Sequence, residues 1–160
     1  MDTAKVIARH VLDEPKPTPS GWTLDSLEQV GEQDFNRVML RASDGDPYDT
    51  STPESAEADS RELVEAAGGQ FDPRGWYLVR DDRGDVGVVL PQVFPDEPTT
   101  GTLFYVAVVP ERRGEGLGRA LHRFGLSELA RRGAKAYVGS TDATNEPMIA
   151  IFTANGCSLS

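Results

Sequence analysis

One stretch in the second half of the chain constrains the fold most strongly. The seven residues Leu103–Val109 are all apolar or aromatic and rich in β-branched side chains, which predicts a strand buried on both faces. Pro110 ends this strand, an amphipathic helix is predicted from Leu117 to a stop at Gly133, and a short strand is predicted over 136–140. Two strands joined through a helix form a parallel crossover, so we expect an α/β or α+β fold with a mixed sheet.

Length and charge exclude several classes of protein. A chain of 160 residues fits one domain, and a formal net charge of −10 disfavours DNA, RNA and anionic membranes as partners. The only cysteine, Cys157, excludes an internal disulfide and a CxxC metal site, and we expect no metal. Neither a signal peptide nor an apolar run long enough for a bilayer is visible, so we expect a cytoplasmic protein.

The first half of the chain is less clearly patterned. Prolines at positions 15, 17 and 19 predict that residues 1–20 form an extended arm, with a single domain over 21–160. A strand is predicted over Trp22–Val30, followed by a helix with Asp34 as its N-cap. The stretch Ala42–Asp72 contains nine acidic residues and one basic residue, and we interpret it as a loop followed by a helix over Glu54–Ala67. This acidic stretch is either a solvated face or a surface that steers a cationic amine towards the protein.

Two further elements complete the pattern. The apolar runs Trp76–Arg80 and Val86–Leu90 flank a polar turn and predict a hairpin. A last helix is predicted over Asn145–Asn155, closed by Gly156.

The turn between the buried strand and its helix carries the chemistry. Gly114, Gly116 and Gly118 alternate there, which lets the backbone approach a ligand closely at a helix N-terminus that favours anions. Three arginines add positive charge: Arg112, Arg113 and Arg119. Residues 110–135 contain seven basic and three acidic residues, so this segment is positive although the chain as a whole is negative. The pattern indicates a phosphate or pyrophosphate ligand.

Two common phosphate-binding motifs are excluded, and a purely structural role for the glycines is the less favoured alternative. A Walker A loop needs a Lys-Ser or Lys-Thr pair that is missing here, and a dinucleotide fingerprint needs a third glycine where this chain has Arg119. A tight turn with a helix cap would need only one glycine.

The residues Arg113-Gly114-Glu115-Gly116-Leu117-Gly118 match the [Q/R]xxGx[G/A] signature that follows a strand in the GNAT superfamily of acyl-CoA-dependent N-acyltransferases. The chain also resembles this superfamily in having Asn145 eleven residues before Gly156 around the last helix. The resemblance covers Leu103 to Cys157 well and Trp76 to Leu90 plausibly. It implies a GNAT-like fold: a central mixed, mostly antiparallel sheet, a splayed parallel strand pair and flanking helices.

The resemblance also implies roles for individual residues. Acetyl-CoA would enter as co-substrate between strands 103–109 and 136–140, with its pyrophosphate on backbone N–H groups of Arg113–Gly118 and the charge of Arg119 nearby. The pantetheine arm would pair with backbone at Val106 and Val108 and contact Asn145. The Val108 N–H would polarise the thioester carbonyl, and a preorganised donor of this kind is typically a large catalytic contribution.

The chain departs from the superfamily at the acid and base positions. Phe152 stands where many members have a tyrosine that protonates the departing thiolate, and Thr102 stands where some have a glutamate base. A thiol with a pKa of about 8.5 leaves as thiolate at a cost of only about 2 kcal/mol at pH 7, so the missing tyrosine does not by itself exclude turnover. The general acid and general base are therefore unassigned. Candidates for the base are Glu111, Tyr105 and Asp142, with a water relay or an already neutral amine as alternatives.

Superfamily members continue past the last helix with further strands. We expect the segment Lys5–Leu12, or a second subunit, to supply the missing edge strand, and a homodimer is therefore an open alternative. His122 lies off the apolar face of its helix and is expected to be solvated, whereas Cys157 is expected to be a small packed residue.

These observations predict an N-acetyltransferase that moves an acetyl group from acetyl-CoA to a primary amine of a small molecule or peptide by direct attack. The alternative is a non-catalytic acyl-CoA-binding sensor or interaction module with a degenerate site. Release of CoA in the presence of amines would separate the two.

Overall fold

The computed structural model describes residues 4–160, and the strands and helices follow the hydrophobic pattern of the chain closely. The strands are β1 (Lys5–Val11), β2 (Thr23–Ser26), β3 (Tyr77–Asp81), β4 (Gly84–Val93), β5 (Thr100–Val108), β6 (Ala136–Asp142) and β7 (Ser158–Leu159). The helices are α1 (Leu27–Val30), α2 (Glu32–Ala42), α3 (Ala56–Ala67), α4 (Leu117–Arg131) and α5 (Glu146–Ala154), with short 3₁₀ turns at Gly68–Gln70 and Pro110–Arg112.

The seven strands form one mixed sheet in the order β2-β3-β4-β5-β6-β1-β7. The pair β5 and β6 is parallel and the other neighbours are antiparallel, which confirms the predicted fold class. Val88 and Leu90 of β4 pack on one face with Phe35 of α2, whereas Val89 packs on the other face with Leu121 of α4. Helices therefore cover both faces of the sheet.

The parallel pair separates soon after it forms. β5 and β6 are paired only at Thr100 with Ala136 and at Gly101 with Tyr137, and beyond these residues the strands diverge. The predicted splay is thus present. Since β6 leaves β5, most of β5 is only half-buried, and the expectation that this strand is buried on both faces was wrong.

A bulge interrupts β5 at its centre. Val106 lies opposite Val89 and Leu103 opposite Pro91, so β5 has one residue more than β4 between these pairs. Side chains on a regular strand alternate between faces, but the extra residue lets Phe104 and Tyr105 pack into the same cluster. The bulge therefore turns two consecutive aromatic rings towards α2 and α3.

The N-terminal segment is part of the sheet. β1 pairs with β6 along its whole length and with β7 on its other side, where Ile7 and Ser160 exchange two backbone hydrogen bonds of 2.9 Å. The strand expected from Lys5–Leu12 is present at Lys5–Val11, and it lies inside the sheet because β7 forms the edge. The reasoning that linked a missing strand to a homodimer accordingly has no support in this fold.

Two boundaries in the first half differ from prediction. The strand predicted over Trp22–Val30 ends at Ser26, whose hydroxyl accepts a hydrogen bond from the Gln29 N–H while the Gln29 side chain accepts one from the Ser26 N–H. This reciprocal capping box starts α1 in the middle of the predicted strand. Gly31, not Asp34, is the N-cap of α2.

Candidate functional site

A cleft of about 640 Å³ opens where β5 and β6 diverge. One wall is formed by Val106–Val108 of β5 and the opposite wall by the start of α5. The turn over 112–118 closes one end, and the loop over 45–48 covers one side. The cleft therefore joins β5, the glycine turn and Asn145 as the sequence predicted, whereas no residue of β6 lines it.

The exposed edge of β5 offers backbone groups to this cleft. The Val109 N–H donates to the Val86 carbonyl over 3.0 Å, so Val109 belongs to a hydrogen-bonded pair of the antiparallel ladder. Because such pairs alternate along a ladder, Ala107 also faces β4, whereas the N–H and C=O groups of Val106 and Val108 point away from β4. Those groups face the side from which β6 has departed.

The glycine turn presents unpaired amides to the same cleft. Gly114 and Gly116 have φ angles of +84° and +78°, a region that other residues rarely adopt. Among the hydrogen bonds of residues 4–160, none is donated by a backbone N–H from Gly114 to Arg119, and Ala120 is the first to donate back, to Gly116. These free donors lie at the N-terminus of α4, where the helix dipole favours an anion.

The three arginines of this turn have different positions. Arg112 is buried and paired with Asp81, so its charge is compensated within the protein and is not free for a phosphate. Arg113 is exposed at the mouth of the cleft, where one guanidinium nitrogen donates to the Ala42 carbonyl over 3.0 Å. Arg119 is exposed in the first turn of α4 and is not among the residues that line the cleft.

Asn145 lies in the cleft wall but uses its side chain locally. Its oxygen accepts from the Met148 N–H over 3.3 Å, and its amide nitrogen donates to the Thr141 hydroxyl over 3.0 Å. Asn145 thus caps α5 and fixes the wall that this helix provides.

Phe152 does not line the cleft. It is 1% exposed in a cluster with Ala8 and Tyr137 and donates no proton there. A different hydroxyl lines the cleft, that of Tyr48, which lies 3.1 Å from the Thr144 hydroxyl across the mouth. Sequence reasoning missed Tyr48 because it lies in a loop without periodic pattern.

The three candidate bases differ in their surroundings. Glu111 is paired with Arg41, and Asp142 with Lys5 over 3.3 Å. The Tyr105 hydroxyl donates to Asp49 over 2.9 Å, and burial followed by the charge of Asp49 raises the pKa of Tyr105 far above its usual value. Tyr105 is therefore a fixed hydrogen-bond donor at neutral pH and not a base.

His122 is fully buried, which contradicts the expectation that it is solvated. The Asn155 amide donates to its Nδ1 over 2.8 Å, so Nε2 carries the proton and donates to the Tyr137 hydroxyl over 3.3 Å. Burial, and secondarily the charge of His10, lowers the pKa of His122 to about 4. Cys157 is half-buried, and burial raises the pKa of its thiol.

Two negative findings concern residues 4–160. Their helices are too short or too polar to cross a lipid bilayer. Their histidine, cysteine, aspartate and glutamate side chains form no cluster of three or more that could hold a metal ion.

Comparison with known proteins gives consistent matches. The sequence profile of the acetyltransferase (GNAT) family matches residues 37–156. A mycothiol acetyltransferase of Streptomyces bingchenggensis is 35% identical over 147 residues, which are 91% of this chain and 46% of that protein. A mycothiol acetyltransferase of Rhodococcus jostii is 37% identical over 101 residues, 59% of this chain and 33% of that protein. The chain thus spans half or less of the length of these relatives.

Solved structures share the fold. A GCN5-related N-acetyltransferase from Sphaerobacter thermophilus superposes with a TM-score of 0.71 at 22% identity, over 99% of this chain and 49% of that one. The ribosomal-protein-S18-alanine N-acetyltransferase of Escherichia coli gives a TM-score of 0.55 at 22% identity, over 84% of this chain and 76% of that one.

Proposed function

Because the chain belongs to the acetyltransferase (GNAT) family, we propose that it transfers an acetyl group from acetyl-CoA to a primary amine by direct attack. The observation that carries this proposal is the cleft at the splay, where an unpaired strand edge and a turn of unpaired amides meet. A strand edge suits the amide-rich pantetheine arm, and a helix N-terminus suits the pyrophosphate.

The pyrophosphate is assigned to the turn over 113–118. Gly114 and Gly116 leave open space at the positions where a side chain would begin, so the backbone can approach two phosphates closely. The exposed Arg113 supplies a full positive charge at the cleft, and Arg119, in the first turn of α4, contributes at longer range.

The pantetheine arm and the thioester are assigned to β5. The backbone groups of Val106 and Val108 are free to pair with the amides of the arm, as an added strand would, and Asn145 borders the same space. The Val108 N–H is the donor proposed for the oxygen of the thioester carbonyl. A fixed donor costs no reorganisation as negative charge develops there, which lowers the barrier.

The reaction releases one proton overall. The acceptor nitrogen, once neutral, attacks the thioester carbon, the new C–N bond forms and the C–S bond breaks. The acceptor enters as an ammonium ion and leaves as an amide, so its nitrogen loses two protons. One of them ends on the CoA thiol and the other passes to solvent. Tyr48 brings a hydroxyl to the mouth of the cleft, and this is the group proposed to protonate the departing thiolate in place of one at position 152.

Two measurements test the proposal in sequence. Titration calorimetry with acetyl-CoA, CoA and ADP is expected to show micromolar or tighter binding of the first two. A thiol-release assay with a panel of amines, including the acceptor of mycothiol acetyltransferases, is then expected to show CoA formation. A folded protein that does not bind acetyl-CoA would overturn the proposal, and binding without CoA release for any amine would favour the non-catalytic sensor or interaction module instead.

A further inference from the structure

A second cavity, of about 230 Å³, adjoins the cleft along β5. It is bounded by α2, by α3 and by the loop between them, and its floor is formed by the bulge residues Phe104 and Tyr105. The end of α2 and the following loop border both spaces: Ala42 and Tyr48 face the cleft, whereas Ser43 and Asp49 face the cavity. A molecule in this cavity would therefore lie beside the proposed thioester site.

The cavity combines an apolar wall with carboxylates. Met39, Leu40 and Leu63 line it together with the ring of Phe104. Three acidic side chains border the same space: Asp49, Asp59 and Glu62. Within residues 4–160 none of these carboxylates lies within 4 Å of a lysine, arginine or histidine nitrogen, although the chain pairs many of its other acids.

Neutral donors hold two of these carboxylates in place. The Ser51 and Ser55 hydroxyls both donate to Oδ2 of Asp59 over 2.8 Å, and the Tyr105 hydroxyl donates to Oδ2 of Asp49. These hydrogen bonds fix the carboxylates without neutralising their charge. The side-chain oxygen of Asn36, on the α2 side, is buried and accepts no hydrogen bond from the described residues. The described residues that line the cavity thus present two fixed carboxylates, Asp49 and Asp59, and no basic group.

We propose that this cavity binds the acetyl acceptor and that the acceptor is a short aliphatic diamine. The proposal rests on the proposed function. One ammonium group lies against Asp49 and Asp59 and compensates charges that the chain leaves unpaired, while methylene groups contact Met39 and Phe104. The second nitrogen, after losing a proton, points along β5 to the thioester. It forms the C–N bond with the thioester carbon as the C–S bond breaks, and CoA departs as the thiol.

The first experiment compares acceptors of equal length. With acetyl-CoA fixed, kcat/KM is measured for 1,4-diaminobutane, n-butylamine and 4-aminobutyrate. The diamine is expected to exceed n-butylamine by on the order of tenfold or more, and 4-aminobutyrate is expected to react more slowly than either. Equal values for the diamine and n-butylamine would overturn the proposal.

The second experiment uses D59N and D49N, with D44N as a control from the same acidic loop that does not line the cavity. D59N and D49N are expected to lower kcat/KM for the diamine by on the order of tenfold while changing the value for n-butylamine little, and D44N is expected to change neither. An equal loss for both amines would indicate a structural role and overturn the assignment.

Direct binding separates failure of this proposal from failure of the proposed function. Calorimetry with 1,4-diaminobutane in the presence of CoA is expected to show binding that D59N weakens. Binding of acetyl-CoA without binding of the diamine overturns only the acceptor assignment. A protein that binds no acetyl-CoA overturns the acetyltransferase proposal, whatever the diamine does.

Discussion

Arg112 donates two parallel hydrogen bonds to Asp81, from Nη1 to Oδ1 over 2.9 Å and from Nη2 to Oδ2 over 2.7 Å. This pair ties the start of the glycine turn to the end of β3, and Nη1 also donates to the Asp85 carbonyl over 3.3 Å. The Arg112 side chain is 7% exposed, so its charge stabilises the turn and is not available to a ligand. The pair lowers the pKa of Asp81 to about 2, mainly through the hydrogen bonds from Arg112.

We expect R112M to weaken acetyl-CoA binding because the glycine turn loses its anchor. Both removed hydrogen bonds involve charged groups, so the expected loss of affinity is on the order of tenfold, measured by calorimetry on protein that retains its circular dichroism spectrum. The matched control is R74M, which likewise removes two hydrogen bonds to one carboxylate, those from the exposed Arg74 to Asp72, at a position that does not line the cleft. Equal affinity in wild type and R112M would show that the turn holds its shape without this pair.

We expect G116D to abolish detectable acetyl-CoA binding. The substitution forces a side chain into a left-handed backbone position and adds a negative charge at the helix end assigned to the pyrophosphate. G133D is the matched control, since Gly133 has a similar φ of +91° and open space at the other end of α4. Calorimetry on both variants, with thermal melts to verify folding, is expected to show loss of binding for G116D alone.

We expect stability to fall with acid because His122 is buried as the neutral form. The unfolded chain takes up a proton near pH 6.5 and the folded chain only near pH 4, so the unfolded state binds more protons between these values. The free energy of unfolding is therefore highest above pH 6.5. It falls progressively, by about 3 kcal/mol in total, as the pH is lowered from 6.5 through 4. Urea unfolding across this range is expected to be less pH-dependent for H122Q, and parallel curves for both proteins would contradict the assignment.

We expect Y48F and T144V to raise the dissociation constant of acetyl-CoA by similar factors of about five, because each removes the hydrogen bond across the cleft mouth. The double variant is expected to be no weaker than either single variant, as for two ends of one interaction. Measurement of kcat then separates two roles of Tyr48. If it also protonates the thiolate, kcat falls in Y48F and not in T144V; equal kcat values would exclude that role.

The sequence predicted the second half of the fold well because its signals are local. Hydrophobic periodicity and turn residues reveal them within about 30 residues: an apolar run, a proline, alternating glycines and an amphipathic helix. The strand, the turn and α4 are accordingly present, and the N-cap Asn145 begins α5 as expected. The capping box at Ser26 was legible too, as a serine three residues before a glutamine, but the surrounding apolar residues favoured a strand.

The errors concern relationships between distant residues. Arg112 was counted with the arginines that add positive charge to the turn because nothing near it in sequence reveals Asp81. His122 was judged solvated because it lies off the apolar face of its helix, whereas Tyr137 and Asn155, which contact it, come from other parts of the chain. The acidic stretch likewise gave no sign that Asp49 and Asp59 border one cavity with Tyr105, since the β5 bulge that directs this ring is not encoded by a local pattern.

The position of β1 has a consequence for how the protein reaches its native state. β6 is joined to β5 at two residue pairs but to β1 at seven, so the far half of the sheet is assembled chiefly through a segment from the other end of the chain. Contacts between residues so far apart in sequence slow folding, because the entropy of closing a long loop is lost before the contacts form. During synthesis, β1 leaves the ribosome long before β6 and β7 and stays without these partners until they follow, so the cleft between β5 and β6 forms late.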